Sequence, residues 1–128
     1  MLTAIGELAS EQSQATTTTI DKLTQLLNYC AAHPDATSRF TASDMILAVE
    51  SDASYPSVKK GHSRAAGYLF MTNKNTGAVH VPCHIMCIVL SSAAEAELGA
   101  LFHNGKEACP LHIALEKMGI TRCFMVTF

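Results

Sequence analysis

Met45-Ile-Leu-Ala-Val49 is the run that most limits what this chain can fold into. Consecutive apolar residues without alternation fit a short strand buried on both faces, as at the centre of an α/β sheet. The run ends in the polar stretch Glu50-Ser-Asp52-Ala-Ser-Tyr-Pro56. Tyr68 to Thr72 reads as a second strand. Val79 to Leu90 reads as a third, bent or bulged at Pro82, which cannot donate to a ladder. Asn73-Lys-Asn-Thr-Gly77 between them has the residues of a hairpin turn.

A helix should follow, capped by Ser91 or Ser92, with Glu95 at capping-box distance from Ser92. It is expected from Ala93 to about Lys106, with a bend or break near Pro110 and a resumption to Met118 before Gly119. Cys123 to Phe128 would be one more strand, and a crossover helix suits a strand parallel to an earlier one. The expected fold class is therefore α/β, a mixed sheet made of a three-stranded antiparallel meander, then a helix and a parallel strand.

The N-terminal part differs in character. Leu2, Ile5, Leu8 and Ala9 recur at helical spacing, and Gln12 to Thr19 reads as a polar linker. Thr19 would cap a second helix with Asp21 near its positive end and an apolar stripe of Ile20, Leu23, Leu26, Leu27 and Cys30. His33-Pro34-Asp35 should stop it. Residues 1–38 thus form a helical lead-in, and residues 39–128 the main domain. No apolar run approaches the roughly 20 residues of a spanning helix, so no membrane partner is expected. The N-terminal stretch has no basic leader, and five cysteines without disulfide spacing suggest reduced thiols and an intracellular setting. A formal charge of −2 argues against a strong, global nucleic-acid binder.

Two acids stand where chemistry could be done. Asp52 follows the central apolar run, where α/β sheets commonly place ligands. Glu97 has Ala93, Ala94, Ala100 and Leu101 at helical spacing and is expected to point inward. Glu95, about 200° around the helix from it, cannot share its site. An inward carboxylate needs a partner, and magnesium, which prefers oxygen ligands, is a natural one. The plainer alternative is a turn-forming aspartate and a tilted surface glutamate.

Ser51-Asp52-Ala-Ser-Tyr55 and Ser91-Ser-Ala-Ala-Glu-Ala-Glu-Leu-Gly-Ala-Leu101 closely resemble the ribonuclease H region of copia-type retrotransposon polyproteins. Ser63-Arg-Ala-Ala-Gly-Tyr68 and the upstream Gln25 to Ala36 are similar too, in the family's order. The resemblance implies a ribonuclease H-like sheet with Asp52 and Glu97 as catalytic and metal-binding acids. It further implies Mg2+ or Mn2+ as cofactor, two ions acting on water and leaving oxygen, and an RNA–DNA hybrid as substrate. Residues 1–38 would then be a connector from the end of the reverse transcriptase region. The setting implied is the cytoplasm or a virus-like particle.

The sequence also departs from the family. Of its four acids only two are located, since Val126-Thr127-Phe128 stands where a threonine-aspartate turn is expected. The domain thus looks C-terminally truncated, an endonuclease by descent whose metal is weakly held and whose hybrid cleavage is very weak or absent. An open sheet edge would favour self-association. Lys59, Lys60, His62 and Arg64 form the one compact basic cluster, with Lys59, Lys60 and Arg64 as substrate-binding candidates. A solvated loop is the equal alternative. Relatives often carry a basic residue shortly before the serine pair, where this chain has Met86 and Cys87, so weak, salt-sensitive binding is expected.

Other readings compete. His80, Cys83, His84 and Cys87 are zinc-ligand types, but on a strand the histidines and the cysteines face opposite ways. Cys109 and His112 lack a third orienting group for a thiol nucleophile. Leu98, Leu101 and Phe102 read as core. A non-enzymatic interaction or structural module derived from a transposon is the alternative function.

Overall fold

A computed structural model describes residues 1–56, 61–71, 76–120 and, for the backbone alone, 125–127. The chain divides into two compact units, Met1–Thr37 and Ser38–Phe128.

In the first unit, α1 (Leu2–Glu11) passes through a single-turn 3-10 helix, Gln12–Gln14, into α2 (Thr17–Ala32). The expected linker is thus shorter, and α2 starts before Thr19. Thr16 takes the cap position because the Thr19 hydroxyl accepts its N–H (3.2 Å) and donates to Glu11 Oε2 (3.1 Å). The other Glu11 oxygen meets Lys22 Nζ at 3.1 Å, tying α1 to α2. Asp21 consequently falls beyond the first turn of α2, away from the positive end that was expected to favour it.

The second unit is an α/β layer. Its sheet runs β3-β2-β1-β5, with β4 also on β2. The strands are β1 (Leu47–Ser54), β2 (Arg64–Met71), β3 (Ala78–His80), β4 (Cys83–Ile85) and β5 (Met125–Thr127). β1, β2 and the β3–β4 pair are antiparallel neighbours, and β5 lies parallel to β1 as a crossover helix requires. The expected hairpin turn at Asn73 to Gly77 and the start of the last strand at Cys123 lie largely outside the described residues.

Two strand limits differ from expectation. Met45 has φ +56°, a conformation costly for a side chain with a Cβ, so the chain turns there and the strand begins at Leu47. At its other end β1 continues through Glu50 and Asp52 to Ser54, because pairing with β2 runs on to Ser54–Arg64. Leu47, Val49 and Ser51 are buried toward the helix layer while Glu50 and Asp52 are exposed, the period-two pattern of a strand with one open face. The long third strand is split by Val81-Pro82 into β3 and β4, and the Pro82 carbonyl instead accepts the Gly67 N–H (2.9 Å).

α3 (Ala93–Lys117) is continuous through Pro110, so of the bend or break expected there the break does not occur. Ala108 and Leu115, before and after the proline, belong to one core cluster with Leu47, Val49 and Leu69. Burying each of those large side chains contributes roughly 1.5–3 kcal/mol. Together they offset the roughly 3 kcal/mol that an interior proline costs. A second cluster, Ala65, Met86, Ala96 and Ala100, packs the other end of the helix.

Both ends of α3 are locally encoded. Ser92 Oγ accepts the Glu95 N–H (3.2 Å), and Glu95 Oε2 accepts the N–H and hydroxyl of Ser91, each at 2.8 Å. At the other end Gly119 adopts φ +87°. Its N–H reaches Glu116 O (2.9 Å), and the Ile120 N–H reaches Leu115 O (3.0 Å), the Schellman pattern. No helix among the described residues is long and apolar enough to cross a membrane.

Candidate functional site

Asp52 lies on β1, the strand flanked by β2 and β5, opposite Ala66 of β2. Alternation points it away from α3, onto the open face of the sheet beside Glu50. A surface depression there is lined by Glu50, Ser51, Asp52, Ala66, Gly67, Tyr68 and Val81. Glu50 and Tyr68 were not singled out from sequence. The signal was present as the two-residue spacing of Glu50 and Asp52, but only a strand continuing past Val49 makes it meaningful.

Glu97 lies in the first turns of α3 and is half-buried. The line of α3 that faces the core is Ala96, Ala100, Asn104 and Ala108, so Glu97 stands about 100° to one side of it. The expected inward direction is therefore only partial. Leu98 and Phe102, read from sequence as core, are 66% and 65% exposed, one face away from the alanine line. Small side chains were selected on the buried line because α3 sits close to β2.

Asn104 shows how close. It is fully buried, and its Nδ2 donates to Ser51 Oγ and to the Ala66 carbonyl, both at 2.8 Å. A Cβ on Gly67 would fall against Asn104, 2.7 Å from Cγ and nearer still to Oδ1. Gly67 is thus required by the approach of the helix amide. This contact fixes the β1–β2 backbone directly beneath the depression that holds Asp52.

Of the basic cluster, Lys59 and Lys60 lie outside the described residues. Arg64 is buried at the start of β2, with a nitrogen 3.9 Å from Cys83 Sγ, and not displayed in a solvated loop. His62 is half-buried, its Nδ1 3.0 Å from Met86 O.

Of the histidines and cysteines expected on one third strand, His80 lies on β3, Cys83 and His84 on β4, and Cys87 beyond it. Cys83 faces Arg64, and Cys87 is exposed. His80 Nε2 lies 3.3 Å from Glu107 Oε2, while the His84 ring meets His103 edge to face at 4.8 Å. Burial, and then the neighbouring His103, hold His84 below the ordinary histidine range, with Glu107 acting in the opposite direction. Cys109 is exposed, and His112 Nε2 is 3.4 Å from Glu116 Oε1, a carboxylate partner that the sequence alone did not reveal. The described cysteines Cys30, Cys83, Cys87 and Cys109 are free.

Asp52 thus faces the side of the sheet opposite α3 while Glu97 is carried by α3, so the structure does not bring the two sequence-predicted acids together. Among the described residues no three His, Cys, Asp or Glu side chains are gathered as a ready metal centre. Comparison with family models, curated proteins and solved structures found no match for this chain.

Proposed function

We propose that this chain is a ribonuclease H-like domain of the copia-type retrotransposon polyprotein class, preceded by a helical connector from the end of a reverse transcriptase region. Asp52 and Glu97 are its two located metal-binding acids, with Mg2+ or Mn2+ as the ion and an RNA–DNA hybrid as the substrate. One conjunction carries the reading: Asp52 lies on a central strand between antiparallel and parallel neighbours, and Glu97 opens the crossover helix within the motif Ser91 to Leu101.

Because Asp52 faces away from α3 and Glu97 lies on it, a shared divalent ion would require the two side chains to turn toward one another. It would depend on waters and substrate phosphate for most of its ligands, so it would be weakly held. Hydrolysis of the hybrid is accordingly very weak or lost. The buried Arg64 supports the same conclusion for substrate grip, since a buried guanidinium offers little to a phosphate backbone.

A second reading, a non-catalytic interaction module derived from the same source, is favoured by the open sheet face, where Tyr68, Val79 and Val81 are exposed beside the acids. Incubation of the protein with labelled RNA–DNA hybrid, in Mg2+ and then Mn2+, separates the two. Weak cleavage lost in both Asp52→Asn and Glu97→Gln supports the nuclease reading. Cleavage unchanged in those variants removes it. A folded protein that neither binds nor cuts the hybrid leaves the interaction module.

A further inference from the structure

Two pairs of ligand-type side chains face each other between the β3–β4 edge and α3. His103 and Glu107 are four residues apart on one helix face, and His80 and His84 come from the two strand segments that flank Val81-Pro82. His80 Nε2 and Glu107 Oε2 are 3.3 Å apart, and the His84 and His103 rings have centroids 4.8 Å apart at an interplanar angle of 69°. His84 Nε2 is buried and has no hydrogen-bond partner in the structure. His103 and Glu107, one helical turn apart on α3, place the two pairs side by side.

We propose that His80, His84, His103 and Glu107 bind one divalent transition-metal ion of the zinc class. Three imidazoles and one carboxylate are a donor set that suits zinc, cobalt or nickel and not magnesium. Two ligands at about 2.0–2.1 Å from a tetrahedral ion stand about 3.3–3.4 Å apart. The His80–Glu107 separation of 3.3 Å already has that value. Among the described residues no three such groups surround one point, so the ion would have to draw the two pairs together by side-chain rotation. The side chains of His80 and Glu107 are 41% and 48% exposed, which gives the ion an entry path and the two ligands room to turn. Cys83 and Cys87 take no part, the one lying against Arg64 and the other exposed. The bound ion would pin the short strands β3 and β4 to α3. This site is separate from the oxygen-only pair Asp52 and Glu97 and does not depend on the nuclease reading.

The test is titration of the full chain with Co2+ as a spectroscopic stand-in for Zn2+, followed by Zn2+ competition. One equivalent of Co2+ with visible tetrahedral bands is expected, displaced by Zn2+ and retained in Asp52→Asn. Glu107→Gln and His84→Gln should each weaken it at least about tenfold. Circular dichroism of both variants without metal keeps the comparison valid, because neither residue belongs to the apolar core clusters. Absence of stoichiometric binding overturns the proposal. So does an intense near-ultraviolet thiolate-to-cobalt band, which would put the ion on cysteine, or binding unchanged in both variants.

Discussion

Replacing Asn104 by alanine should destabilise the α/β unit by roughly 1–3 kcal/mol. The loss is partly offset because the buried Asn104 Oδ1, which has no hydrogen-bond partner in the structure, is removed as well. Asn104 Nδ2 makes two hydrogen bonds of 2.8 Å, to Ser51 Oγ and the Ala66 carbonyl, from a fully buried position. Each net bond is worth about 0.5–1.5 kcal/mol, and leaving buried acceptors unpaired adds to that loss. The cavity left by the amide adds a further increment of about 1 kcal/mol. Urea unfolding followed by far-ultraviolet circular dichroism measures the difference, read at constant m so that only stability has changed. Gly67→Ala should also destabilise, by about 1–3 kcal/mol, because its Cβ would overlap the same amide and stand 3.0 Å from Pro82 Cγ. In the double variant the added methyl occupies space that the amide vacated, so its loss should be smaller than the sum of the two single losses. A loss below about 0.5 kcal/mol for Asn104→Ala, or strict additivity in the cycle, would refute the account of α3 held down by this contact.

Ser92→Ala should cost about 1 kcal/mol through loss of the helix cap, measured in the same unfolding assay. Glu95, held below the ordinary glutamate range by hydrogen bonds from the Ser91 backbone and side chain, should show its cap contribution in full above the unfolded glutamate pKa. That contribution disappears as pH falls through the lowered folded value, and carboxyl NMR titration of Glu95 with exchange of the Ser91 amide follows it. Gly119→Ala should destabilise by about 1 kcal/mol because φ +87° penalises a Cβ, again read by urea unfolding.

The sequence was most legible where the information is local. Ser92 and Glu95 announce the start of α3, and Gly119 its end, because caps depend on residues three or four apart. The antiparallel meander and the parallel last strand followed from element order and helix crossover. What escaped notice depends on distant partners. β1 was expected to stop at Val49, since Glu50 and Asp52 are polar, yet the strand continues because from Glu50 onward its even residues face the open side. Pro110 suggests a bend or break, yet the helix runs unbroken because Ala108 and Leu115 hold α3 to the sheet on both sides. Among Thr16, Thr17, Thr18 and Thr19, several could cap α2, and the choice of Thr16 rests on Glu11 in the preceding helix.

The candidate site followed the same division. Asp52 and Glu97 were named from motif and position, whereas Asn104 was invisible because its partner Ser51 is 53 residues away. Arg64 looked like a loop cation until β2 was seen to begin with it, buried against β4. His80 and His84 were expected on one continuous strand, whereas they come from β3 and β4 on either side of Val81-Pro82, and Cys87 lies beyond β4. The facing pair on α3 could not be inferred without the packing.

Mn2+ titration monitored by paramagnetic broadening of backbone amide resonances tests the central reading most directly. The account predicts that the amides around Asp52 and Glu97 broaden together at the same low Mn2+ concentration, and that either Asp52→Asn or Glu97→Gln abolishes both responses. Broadening at only one of the two positions, or at both in the presence of either substitution, would contradict a shared metal site and with it the ribonuclease H-like assignment of these acids.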